Sequence, residues 1–196
     1  ATQLSFVSDK DSTKALRRDY HLHYFKTEWD STKTIVKNAD LNDLMVNADF
    51  NSYFSESGAR LFFEVKPFPI LQDTSLLAEE IVNVEVWNYK DQRLFTHQEN
   101  EKSNDEKFGY LSYYDPIKDE FVQLGNSEYS SVIVSNEGDG STALALSDYD
   151  YRQLITWEGY YLNDVYRVNL SIGSMTKFFD AVRGSISLSP IVKYAF

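Results

Sequence analysis

The feature that most constrains this chain is a two-residue alternation of apolar and polar side chains, interrupted by turn residues every 8 to 12 positions. Successive side chains of a strand point to opposite faces, so this pattern belongs to antiparallel sheets with one face covered. Asp19 to Phe25 shows it first: Tyr20, Leu22 and Tyr24 fall on one face, His21, His23 and Phe25 on the other. Ala59 to Lys66 reads as a strand ended by Pro67 and Pro69, and Ile81 to Tyr89 turns into Arg93 to His97 as a hairpin. Tyr110 to Tyr114 and Glu120 to Leu124 flank Asp115-Pro116, with Pro suited to the second turn position. Ser131 to Ser135 and Thr142 to Leu146 flank a turn whose Gly138 and Gly140 can take positive φ. Gln153 to Trp157, Val165 to Ile172 and Ser185 to Tyr194 are further strands, with Pro190 marking an edge or bulge in the last.

Two segments carry the i, i+3, i+4, i+7 spacing of a helix face. Leu41, Leu44, Met45 and Ala48 place one at about 40–54. Met175, Phe178, Phe179 and Val182, with Ser174 as N-cap and Gly184 beyond the end, place the other at 174–183. Ser75 to Glu80 is a further helical turn. Residues 98–107 hold no apolar side chain and read as an exposed loop. With no βαβ alternation, the expected fold is mainly β: an antiparallel β-sandwich or barrel with two short helices, in a single domain over 1–196.

Composition narrows the function. Thirty acidic against 19 basic residues give a net charge of −11, so no nucleic-acid partner is expected, since phosphates need a cationic stripe. No apolar run reaches membrane-spanning length, so no membrane insertion is expected. Zero Cys removes thiol nucleophiles and thiolate metal ligands. The opening residues lack a basic stretch followed by an apolar one, so no signal peptide is expected; the compartment stays open, with cytoplasmic synthesis or a virion the simpler readings. No nucleotide-binding glycine pattern and no nucleophile elbow occur.

Two groups of residues can build a site. Tyr149, Tyr151, Trp157, Tyr160, Tyr161 and Tyr166 crowd one segment among Asp, Asn and Arg. Flat rings with a polar tip suit protein interfaces and sugar stacking, although alternation sends part of such a set into the core. The other group is His21, His23, Glu28 and His97, three imidazoles and a carboxylate able to hold a metal ion.

The run His21-x-His23-x4-Glu28 resembles the first metal motif of the cupins, a β-barrel family that includes dioxygenases and isomerases. The resemblance covers these eight residues; Ala15 and Ile35 stand where the motif carries glycines. It implies a metal-dependent enzyme.

First comes a non-catalytic structural or assembly subunit of virion, phage-tail or surface-layer type, a homo-oligomer or part of a larger protein assembly, with no cofactor. A glycan- or small-ligand-binding β module is the alternative, and a cupin-like metal enzyme the third.

Overall fold

The computed structural model describes residues 2–9, 15–71, 75–77, 79–81, 84 and 86–189. They form three antiparallel sheets, each assembled from strands consecutive in the chain. β1 (Gln3–Asp9), β2 (Tyr20–Lys26) and β3 (Lys33–Lys37) make the first. β4 (Leu44–Val46), β5 (Tyr53–Phe54), β6 (Leu61–Pro67), β7 (Tyr110–Asp115) and β8 (Glu120–Gln123) make the second, in the order β4-β6-β7-β8 with β5 also on β6. β9 (Ser131–Val134), β10 (Thr142–Ser147), β11 (Leu162–Asn169) and β12 (Met175–Arg183) make the third, ordered as in the chain. The mainly β, sandwich-like antiparallel architecture expected from the alternation is the one observed.

The second sheet lies between the other two. Leu61, Phe63 and Val65 of β6 join Tyr114 of β7 against Leu22, Tyr24 and Val36 of the first sheet. Phe62 and Tyr113, of opposite parity, meet Ala143, Ala145 and Val168 of the third. A strand covered on both faces needs apolar side chains at every position, which is why Leu61-Phe62-Phe63-Glu64-Val65 runs almost unbroken instead of alternating. Phe62 and Phe63 are essentially fully buried, each contributing roughly 1.5–3 kcal/mol by removing its side chain from water.

Polar bonds lock the second sheet to the third. The Arg60 guanidinium donates to the carbonyls of Gly138 and Gly140 at 2.6 and 2.7 Å. The Asp139 carboxylate accepts from the Ser57 N–H and hydroxyl at 2.7 and 2.6 Å, which holds it below the usual aspartate range. The Tyr113 hydroxyl donates to the Leu170 carbonyl. At the β7–β8 turn Asp115 accepts from the N–H groups of Ile117 and Lys118, as the Asp-Pro signal predicts.

The expected helices are both strands. At 40–54 the chain forms a single 3-10 turn, Asn38–Asp40, then β4 and β5. Asn42 and Asp43 adopt φ of 40° and 60°, and two successive left-handed residues end any helix. At 174–183 the chain is β12. Its pairing with β11 slips twice, leaving Phe178 unmatched and setting Asp180 and Ala181 against Asp164. Each bulge inserts a residue into the two-residue alternation, and the resulting 3, 4, 7 spacing imitates a helix face.

The loop expected at 98–107 is instead inside α1 (Phe95–Lys107). Glu, Gln and Lys are strong helix formers, but the helix is polar on every side and buries no residue, so no apolar stripe announces it. It is tied down by Arg93–Asp105 at 2.6 and 3.2 Å and by Asn47 donating to the Lys107 carbonyl at 2.9 Å. The expected strand Gln153 to Trp157 holds a short helix, α2 (Ile155–Glu158), closed by Gly159 at φ 70°. Arg93 to His97 leads into α1 and the described part of Ile81 to Tyr89 is not strand, so that hairpin does not form. Of Ser185 to Tyr194, residues 185–189 hold one isolated bridge at Leu188; the rest, with Pro190, lies outside the described residues. At Ser75 to Glu80, Ala78 is likewise outside them, and the Glu80 N–H donates to Leu77 in a turn. No helix among the described residues is long and apolar enough to cross a membrane.

Candidate functional site

Between β10 and β11 the chain leaves the third sheet for a 3-10 turn, Tyr149–Tyr151, and then α2. Its polar residues bind this excursion to the sheet and to the approach to α1. Asp148 and Arg152 form a two-pronged pair, both bonds 2.9 Å. A third guanidinium nitrogen donates to Gln92 at 3.1 Å, and Gln153 donates to the Asp91 carbonyl at 3.1 Å.

The deepest anchor is Asp164 on β11, only 3% exposed. Its carboxylate accepts from the Tyr151 hydroxyl at 2.7 Å, the Ala181 N–H at 2.9 Å and the Lys177 ammonium at 2.7 Å. Burial pushes its pKa up, but these three donors outweigh burial and hold it below the usual aspartate range. The Tyr151 hydroxyl is in turn pushed up, because its proton is held by Asp164. Ala181 has a φ of 49°, so the carboxylate also pins a left-handed bulge residue of β12.

The six aromatics of this segment divide. Tyr166 packs inward, edge-on to Tyr129 with centroids 4.6 Å apart. Tyr151 is engaged by Asp164. Tyr160 lies under the Arg183 guanidinium, 4.1 Å from its ring centre, and donates to Glu158 at 3.2 Å. Tyr149, Trp157 and Tyr161 stay in solvent, 45%, 84% and 63% exposed. A continuous six-ring platform is therefore not formed; three rings remain available to a partner.

Beside this excursion, a cleft of about 400 Å³ opens between α1, the second sheet at Pro67 and Tyr110, and the start of the excursion at Asp148 and Arg152. Its charged wall is Arg93, Asp105, Asp148 and Arg152. Each guanidinium faces its own carboxylate, so the quartet is internally neutral. The spacing of Asp148 and Arg152 at i, i+4 was the one local signal of this wall; Arg93 and Asp105 give none without α1.

The four expected metal ligands do not converge. His23 is buried, stacked on Phe6 at 5.0 Å, with Nε2 2.8 Å from the Ser8 hydroxyl and Nδ1 3.2 Å from that of Thr34. His21 pairs with Asp19 at 3.2 Å, and Glu28 is exposed in the turn after β2. His97 sits on α1 in a small cavity with Arg93, Arg152 and Tyr161. Among the described residues no three His, Asp or Glu side chains gather to hold a metal. Within the cupin-like run, His23 is held by the Ser8 and Thr34 hydroxyls of the flanking strands and His21 by the Asp19 carboxylate, so the two imidazoles are not directed at a shared ion.

No protein-family model matches this chain, and no curated protein matches it in sequence. Among solved structures it is similar to TolB from Acinetobacter baumannii at 12% identity, with a TM-score of 0.39. That match covers 100% of this chain and 34% of the other, so the chain spans about a third of its length.

Proposed function

We propose that the chain is a non-catalytic component of a protein assembly, of the virion, phage-tail or surface-layer kind, acting through protein–protein contacts made by the 149–161 excursion. The observation that carries this reading is the exposure of Trp157, Tyr161 and Tyr149 on a segment whose polar residues are committed to holding it rigid. Exposed aromatic rings on an ordered support are the material of interface hot spots, because they bring large area with little side-chain entropy to lose. The charged groups of the neighbouring cleft are engaged with one another, which leaves the rings as the exposed binding chemistry of that face.

Light scattering on the whole chain tests it. The wild type is expected to associate as concentration rises, and Trp157→Ala with Tyr161→Ala to weaken that association about tenfold or more, as loss of interface aromatics does. Because both rings lie in solvent, urea unfolding of the double variant should match wild type within about 0.5 kcal/mol. A strict monomer at high concentration and across salt overturns the reading. A glycan array serves the sugar-binding alternative, which the same two exposed rings also favour: binding lost in Trp157→Ala would replace assembly by carbohydrate recognition.

A further inference from the structure

We propose that β1 is a pairing edge closed by β1 of a second copy of the chain, the two strands running antiparallel about a two-fold axis at Phe6. The inference deepens the assembly reading and rests on it, while placing one contact in the first sheet instead of the 149–161 excursion.

The backbone supplies the first observation. The Thr27 N–H donates to the Thr2 carbonyl at 3.1 Å, which sets the phase of the β1–β2 ladder. Even-numbered residues of β1 then bond to β2, and Gln3, Ser5, Val7 and Asp9 turn their N–H and C=O groups outward. Among the described residues no strand pairs on that side.

Comparison with the other sheet edges supplies the second. Proteins blunt open edges with bulges, charges or short strands. β12 carries two bulges together with Lys177, Asp180 and Arg183. β3 has a register slip and a lysine at each end. β4, β8 and β9 are no longer than four residues. β1 has none of these protections: it is seven residues long, stays in register throughout, and is uncharged before Asp9. Asp9 itself is paired with Arg18 at 2.8 Å.

Side chains select a second copy as the occupant. A two-fold at Phe6 overlaps all seven residues and sets Ser5 against the partner's Val7, so that outward-turned backbone groups meet. Phe6 faces the partner's Phe6, and Leu4 faces the partner's Ser8. Leu4 and Phe6, 54% and 38% exposed on the outer face, are thereby covered in both protomers. Asp9 meets the partner's Gln3, so no like charges oppose. On a chain of net charge −11, β1 is a neutral window through which two acidic copies can approach.

Sedimentation equilibrium on the full chain tests this, with hydrogen exchange as the local readout. The 22.7 kDa mass should double with concentration, and added salt should strengthen the dimer by screening the two acidic bodies. The Ser5 and Val7 amides should become protected in step with the mass. Leu4→Lys, which adds a desolvated charge at the joint, should weaken dimerisation about tenfold or more. Ser5→Pro, which deletes an outward N–H, is the independent second variant. Trp157→Ala with Tyr161→Ala should leave the β1 amides protected. If association persists in Leu4→Lys and Ser5→Pro with those amides exchanging freely, β1 pairing is overturned while the assembly reading stands. A monomer under all conditions overturns both.

Discussion

Asp164→Ala is expected to lower the free energy of unfolding by about 3 kcal/mol, the low end of the cost of breaking a buried, hydrogen-bonded charge pair. The low end applies because the partner ammonium, Lys177, is itself partly in water and can be resolvated. The other two donors, on half-buried Tyr151 and exposed Ala181, lose their acceptor as well. Loss of the carboxylate strands the Tyr151 hydroxyl and the Ala181 N–H, and the latter belongs to a residue held at φ 49°. Asp164→Asn keeps a side-chain oxygen for both but gives up the charge toward Lys177, so it should cost about 1–2 kcal/mol. The pH dependence follows from the lowered pKa. A carboxyl group whose folded pKa lies below its unfolded value, near 3.9, stabilises the fold above that value and ceases to do so as pH falls through the folded pKa. Urea unfolding of wild type should therefore weaken through this acid range more steeply than unfolding of Asp164→Asn. Equal slopes would show that Asp164 does not carry the linkage. A cost under about 1 kcal/mol for the alanine variant would show that the excursion and β12 are held by other contacts.

The same carboxylate shows how far sequence reading reaches. The alternation around Leu22 and Tyr24 reports its sheet directly, because these side chains pack on the second sheet while His21 and Phe25 of the opposite face stay partly exposed. Turn chemistry is equally local: Asp115 caps its own turn through its own side chain. What fails is whatever depends on a distant element. β12 loses its period because Ala181 bulges toward Asp164, and the spacing of Met175, Phe178, Phe179 and Val182 then imitates a helix. α1 is held through Asp105 to Arg93 and through Lys107 to Asn47 and buries nothing, so composition alone made it a loop.

The candidate site was legible in part for the same reason. That aromatic residues crowd 149–166 is visible in one dimension. Which of them face solvent is decided by Tyr129, Arg183 and Asp164, whose positions only the folded sheet supplies. The histidines show the opposite case. His21 and His23 lie near each other, with centroids 6.3 Å apart, but Ser8 and Thr34 engage both nitrogens of His23 from the flanking strands. Spacing along one strand predicts a shared face; it does not predict what the adjacent strands place there.

Gly138→Ala is expected to cost about 3 kcal/mol, from two separable sources: a left-handed backbone and an overfilled joint between the second and third sheets. Gly138 sits at φ 93°, and a Cβ there would stand 2.4 Å from Cε2 of Phe62 and 3.1 Å from the Ser55 Cβ. Phe62 is fully buried, stacked on Tyr53 at 5.1 Å and tilted against Tyr113 at 6.0 Å, so the ring has no open side to retreat into. Gly159→Ala is the control. Its φ of 70° is also left-handed, but nothing lies within 4 Å of the added carbon, so only the conformational cost of about 1–2 kcal/mol remains. The difference between the two variants in urea unfolding isolates the packing contribution. Near-ultraviolet circular dichroism should change for Gly138→Ala alone, because only that substitution displaces a packed aromatic cluster. The Arg60 bonds to the Gly138 and Gly140 carbonyls add a second check. If the displaced backbone pulls those carbonyls away, Arg60→Ala and Gly138→Ala remove the same contact, and their combined cost falls below the sum of the single costs. Full additivity, or equal costs at Gly138 and Gly159, would show that the joint yields without strain.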